Sequence, residues 1–257
     1  MTSWADLDQE LQRWRDAGET PTFWWRDDDT NGPSDALQRL LALSARHDLP
    51  LHLAVVPKGL SPELASCLRS MPHVLTLQHG YAHCNNEPAE ARASEIGENR
   101  ALAATLSDLR AGWEILTAAE LPGLLPALAP PWNRIGDKVL PHLPALGYRL
   151  LSTMHARSTA EPVPGLKQVN IHFDPIRWKS GPEFRGVAGI LRGITEHLYL
   201  RRLGLVDKTE PTGLSTHHLQ TSDEVWGFLE TLLERLSRPD AGRWCRLAEF
   251  LQDSQNG

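Results

Sequence analysis

The sequence predicts an α/β protein whose alternating strands and helices close into a barrel of about seven parallel strands. Three observations predict it. Short apolar runs alternate with segments of helical period along the chain. Chemically active residues recur just after those runs, as they do in barrels whose strand C-termini share one face. Finally, 257 residues with 41% hydrophobic content supply the length and core for one large α/β unit, read as a single catalytic domain over residues 1–257.

Each element has a local reason. Residues 4–17 carry Trp4, Leu7, Leu11 and Trp14 on one helical face. Thr22–Arg26 is a short aromatic-rich strand that runs into Asp27, Asp28 and Asp29. Asn31-Gly32-Pro33 forms a turn, and Ser34 caps a helix bearing Leu37, Leu40 and Leu41. Leu51–Val56 is a strand stopped by Pro57, and Ser61-Pro62-Glu63 opens a short helix. Val74–Gln78 is a third strand with His79 at its end. A long helix over Glu98–Ala119 follows, then a strand from Leu124 to Ala129 that leaves through Pro130-Pro131-Trp132. A helix around Lys138–Leu146 ends at Gly147, and strands follow at Tyr148–Thr153 and Val169–Phe173. A helix marked by Val187, Ile190, Leu191, Ile194 and Leu198, a last strand at Leu214–Thr216 and a closing helix over Asp223–Leu236 complete the order.

Composition excludes several functions. A net charge of −6 with no basic block disfavours nucleic acid and anionic membranes as partners. No apolar run is long enough to span a bilayer. The three cysteines, Cys67, Cys84 and Cys245, are distant and odd in number, so no disulfide framework is expected. The N-terminus lacks a basic region followed by an apolar stretch, and the expected location is the cytoplasm. Nine tryptophans stand beside three tyrosines and five phenylalanines; Trp24, Trp25, Trp132 and Trp178 each fall near polar candidates, where an indole suits the apolar face of a sugar.

Two patches carry chemistry. Three consecutive carboxylates after an apolar strand stay ionised only beside a cation or strong donors, so Asp27-Asp28-Asp29 calls for one. His79 and His83 add two imidazoles four residues apart, with Gly80 permitting a sharp exit from the strand. A carboxylate with two imidazoles is a ligand set for a catalytic divalent metal that keeps a position open for water. A neighbouring carboxylate free of the metal can then take the water's proton. The His-Glu-x-x-His order of the zinc peptidases is absent.

In this order the motifs resemble those of the polysaccharide deacetylase family (the NodB-homology domain, carbohydrate esterase family four). Arg26-Asp27-Asp28-Asp29 stands for its Asp-Asp strand end and His79…His83 for its His-x-x-x-His. Pro130-Pro131-Trp132, Asp174…Trp178 and Leu214-Ser215-Thr216-His217 stand for its three later motifs. The resemblance implies a distorted (β/α) barrel holding one divalent metal, with zinc the first choice, and a substrate that is an N-acetylated amino sugar or glycan. It implies Asp29, His79 and His83 as metal ligands and Asp28 as base. His217 would be the acid, oriented by Asp174, with Pro131, Trp132 and Tyr81 lining the substrate groove and the Trp132 N–H a donor to the oxyanion. A shifted register, Asp27 as base and Asp28 as ligand, stays open, as does His218 in place of His217. The family's arginine before the Pro-Pro pair is Ala129 here, and Arg26 and Arg134 are the candidates to replace it; Thr30 stands where glycine is usual. His172 is placed behind Asp174, and no role is expected for His47, His52, His73, His142, His155 or His197. Three readings follow: a metal-dependent N-deacetylase of an amino sugar or polysaccharide, a deacylase of a cytoplasmic sugar precursor or non-sugar amide, and a catalytically silent carbohydrate-binding barrel.

Overall fold

The computed structural model describes residues 2–252. Its strands are β1 (Thr22–Thr30), β2 (Leu51–Val55), β3 (Val74–Gln78), β4 (Leu124–Leu128), β5 (Leu150–Leu151), β6 (Lys167–Gln168), β7 (Ile176–Arg177), β8 (Glu183–Phe184), β9 (Thr212–Thr216) and β10 (Arg243–Trp244). The helices are α1 (Trp4–Asp16), α2 (Asp35–Arg46), α3 (Glu63–Leu68), α4 (Leu102–Ala118), α5 (Val187–Arg202), α6 (Asp223–Leu236) and α7 (Glu249–Gln252). All pairings in the main sheet are parallel, in the order β9-β1-β2-β3-β4-β5-β6, and β10 lies against the first residues of β1. Beyond β6 the chain continues alongside its neighbours by single bridges, Met154 to Ile171 and Phe173 to Leu214, which bring it back to β9. The result is a distorted (β/α) barrel of seven parallel strands.

Side-chain parity divides the core. Alternate strand residues face opposite sides. Trp24, Ala54, Leu75, Leu77, Ala127, Leu150 and Ile171 form a cluster among strands, the barrel interior, which Cys245 and Leu247 join. Phe23, Trp25, Leu53 and Val55 face the other way and pack against α1, α2, α5 and α6. Leu128 and Leu151 meet the α4 side. Trp24 and Trp25 are therefore core residues rather than groove walls; their ring N–H groups donate to Asn170 O and Thr216 Oγ1.

Several boundaries differ from those the sequence predicts, for physical reasons. β1 runs on through the aspartates to Thr30, because β2 and β9 pair with it on both sides. The helix expected around Lys138–Leu146 is two 3₁₀ turns, Leu140–His142 and Pro144–Leu146, since Pro141 and Pro144 cannot donate to a continuous α ladder. The strands expected at 148–153 and 169–173 shrink to β5 and to single bridges, and the β7–β8 hairpin and β10 were not expected. Ser34 does cap α2, accepting from Leu37 N at 3.0 Å.

Closure depends on a close approach at Gly213. A Cβ there would lie 2.5 Å from Asn170 O and 2.8 Å from Ile171 Cα, both backbone atoms. Gly213→Ala is expected to lower stability by about 1–3 kcal/mol through overpacking, read as a lower urea midpoint.

Candidate active site

The carboxylates of β1 separate by parity and by a break in it. Trp24, Arg26 and Asp28 face the barrel interior, and Asp27 faces outward. Asp27 accepts from Thr216 Oγ1 at 2.7 Å and His218 N at 3.1 Å, and pairs with His218 Nδ1 at 2.5 Å. Burial works against the His218 charge, but the Asp27 carboxylate outweighs it and raises the His218 pKa. This pair is a buried clamp between β1 and the end of β9, so neither residue reaches the cavity. After Asp28 the β1–β2 register shifts, and Asp29 adopts a left-handed backbone with φ 70°. Such a bulge re-aims a side chain, and aspartate tolerates that backbone better than bulkier residues. Two consecutive carboxylates, Asp28 and Asp29, thereby face one cavity.

Asp28 is held by Arg26. The guanidinium Nε and Nη2 donate to Asp28 Oδ1 and Oδ2 at 2.7 and 2.9 Å, a bidentate pair. Its remaining donors go to Ser152 O and Oγ and to Asn133 Oδ1. Burial alone would push the Asp28 pKa up; Arg26, with His79 and His217, outweighs it and holds the carboxyl below its usual range. Of the two candidate arginines, Arg26 is the one that pairs with Asp28. Arg134 instead donates to Ala93 O and lines the cavity.

Asp29, His79 and His83 converge. Asp29 Oδ1 lies 3.2 Å from His79 Nε2 and 3.1 Å from His83 Nε2. His79 Nδ1 sits 2.8 Å from Ala129 O, an acceptor only, so its proton is on Nδ1 and its Nε2 lone pair faces the carboxylate. Two lone pairs that close repel unless a cation lies between them. Asp29 Oδ1 is also buried without a hydrogen-bond donor. Burial opposes ionisation of Asp29; positively charged rings at His79 and His83 would outweigh it and hold its pKa far below the usual range, a charge that a bound cation supplies when the rings are neutral. Burial likewise depresses His83, and Asp29 reverses the sign and raises it. The three residues fit a divalent cation by donor type, by charge and by the tautomer of His79.

The loop carrying His83 is fixed by a residue that has no motif to announce it. Buried Glu95 accepts from Tyr81 N at 3.1 Å and Ala82 N at 2.7 Å. Gly80, with φ 57°, lets Glu95 and Pro131 approach where a Cβ would collide with both. Pro131 is consequently a buried support rather than a groove wall. The Tyr81 ring lies 5.9 Å from Lys58 Nζ and does not line the cavity.

On the far side stand His217 and Asp174. His217 Nδ1 is 3.5 Å from Asp174 Oδ2, and its Nε2 is 3.8 Å from Asp28 Oδ2. Asp174 accepts from Ile176 N and Trp178 Nε1 at 2.7 and 2.9 Å; burial raises its pKa, which the His217 charge only partly offsets. Trp132, left-handed at φ 56°, places its ring 4.5 Å from that of His83, and Trp178 places its ring 4.6 Å from that of His217. The cavity between them, about 390 Å³, is lined by Asp28, Asp29, His79, His83, Trp132 and His217 among others.

A second cluster, His172, His197 and Glu210, also brings ligand-type atoms within 4.8 Å of one another. The Gly213 N–H donates to His172 Nδ1 at 2.9 Å, which leaves the proton on Nε2. His172 therefore turns an N–H, not a lone pair, toward Glu210 Oε2 at 3.4 Å. The Glu210 oxygens already accept from Asn170 N and Arg157 N. This cluster is built as packing behind the barrel wall, not as a metal site.

No family model and no curated protein matches the chain. Solved structures do. A Mycobacterium smegmatis protein assigned as a polysaccharide deacetylase aligns over 92% of this chain and 90% of its own, with TM-score 0.62 and 17% identity. An allantoinase aligns over 91% of each chain, with TM-score 0.59 and 13% identity. A CE4 family pseudoenzyme from Bacillus anthracis aligns over 91% of this chain and 66% of its own, with TM-score 0.53 and 14% identity. The chain has the distorted barrel fold of the polysaccharide deacetylases and CE4 esterases, in a divergent form. An allantoinase and a pseudoenzyme share that fold as well, so chemistry has to be argued from the site.

Asp27→Asn leaves His218 buried without its counter-charge. The expected cost is about 3 kcal/mol, read by urea denaturation. The folded fraction should keep its divalent-metal affinity, whereas the shifted register predicts a loss.

Proposed function

We propose that the chain is a metal-dependent hydrolase that removes an N-acyl group, acetyl in the first instance, from an amino sugar. The observation that carries this reading is the convergence of Asp29, His79 and His83 in a cavity that also holds one arginine-clamped carboxylate and one imidazole. A divalent cation held by Asp29, His79 and His83, with zinc the first choice, would supply Lewis acidity to the acyl carbonyl and to the attacking water.

The remaining work falls to the chain's own groups. Asp28 Oδ2 is the base: Arg26 keeps it ionised and fixes its plane, and it accepts the proton of the attacking water. His217, protonated and flanked by Asp28 and Asp174, donates to the leaving nitrogen, since an amine departs poorly as an anion. Asp174 lies behind the His217 ring, its Oδ2 3.5 Å from Nδ1, and is itself fixed by Trp178 and Ile176. The rings of Trp132 and Trp178 offer apolar faces to a sugar from two sides of the cavity. The Trp132 N–H is the candidate donor to the developing oxyanion.

The test is acetate release from N-acetylglucosamine and its oligomers by zinc-loaded protein. Asp28→Asn and His217→Ala are each expected to reduce kcat by about 10²–10⁴-fold at unchanged metal content. Unaltered turnover in both variants would refute the assignment of base and acid.

A further inference from the structure

The β7–β8 hairpin leaves the barrel directly after Asp174 and leans over the cavity. Arg177, Trp178, Lys179 and Arg185 from this segment line it, with Arg134 entering from beside Trp132. Arg177 is neutralised by Glu183 across the hairpin. Among the described residues the other three cations have no carboxylate partner: Arg134 donates to Ala93 O, Arg185 donates to the Asp174 and Ile176 carbonyls, and Lys179 makes no ion pair. Of the cavity carboxylates, Asp28 is paired with Arg26, and among the described residues none of Asp28, Asp29 or Asp174 forms an ion pair with Lys179, Arg185 or Arg134. Unpaired positive charge thus gathers at the mouth of the cavity of a chain whose net charge is −6.

A rim that carries one sign of charge attracts ligands of the other. A neutral glycan gains nothing from that arrangement. We infer that the substrate carries an anionic group, a phosphate or a carboxylate, that lies at the Lys179–Arg185–Arg134 rim while its N-acyl group enters toward Asp28. This rests on the reading of the cavity as a deacylase site and specifies its substrate class. Trp178, 45% exposed and adjacent to Lys179, would cover the apolar part of the same ligand.

The test separates charge preference from catalysis. Binding of N-acetylglucosamine, N-acetylglucosamine 6-phosphate and N-acetylmuramic acid to the full chain is measured by calorimetry after dialysis against a chelator, so that turnover plays no part. One or both anionic probes are expected to bind about tenfold more tightly than the neutral sugar, as two or three partly exposed ion pairs would give, and to weaken with added salt. Lys179→Ala should cost the anionic probes about threefold and Lys179→Glu should abolish their advantage, with the neutral sugar unaffected. The phosphate and carboxylate probes distinguish which anion the rim accepts. Equal binding of all three probes, no binding of either anion, or an equal effect of Lys179→Glu on charged and neutral probes overturns the inference. Absence of acetate release from all three by metal-loaded protein overturns the hydrolytic reading instead, and leaves the charge preference to be decided by calorimetry.

Discussion

The bidentate pair between Arg26 and Asp28 organises the rest of the site. Both residues belong to β1, two positions apart, so strand parity turns both into the barrel, where Arg26 is 0% and Asp28 2% exposed. A buried carboxylate with no partner would take up a proton. Arg26 keeps it charged, and by also holding Ser152 and Asn133 it ties β1 to the ends of β4 and β5. The same parity sends Asp27 outward to His218, so one strand supplies a structural carboxylate and one that faces the cavity.

The cavity mouth is built from backbone that ordinary strands avoid. Asp29, His83, Trp132 and Asn133 all have positive φ. Three of the four are held from elsewhere: Asp29 by the bulge against β2, the His83 loop by the two oxygens of Glu95, and Asn133 by Arg26. Residues in such conformations persist where the surroundings determine them, and they cluster at functional sites.

Much of this was legible in the sequence. The strand-end placement of His79 and Asp29, the His79/His83 spacing and the order of the later motifs pointed to one face of one barrel, and the cavity joins Asp28, Asp29, His79, His83, Trp132, Asp174 and His217. The division of labour among the three aspartates came only from the family resemblance, with the shifted register left open, because it turns on a one-residue bulge that no local pattern announces. Tyr81 was misplaced because the turn at Gly80, clamped by Glu95, sends the chain away from the cavity. Glu95 itself sits in an irregular loop with no motif around it. The hairpin that carries Lys179 escaped because strands of two residues have no period to detect, and Trp24 and Trp25 are core because their strand is buried on both faces.

The central claim is that Asp29, His79 and His83 form a cation site beside an ionised Asp28. The most direct measurement is anomalous diffraction from crystals of the full chain grown with zinc. One strong peak is expected about 2.0–2.2 Å from Asp29 Oδ1, His79 Nε2 and His83 Nε2, with Asp28 still paired to Arg26. No peak at that position, or a peak at His172, His197 and Glu210 instead, would contradict it.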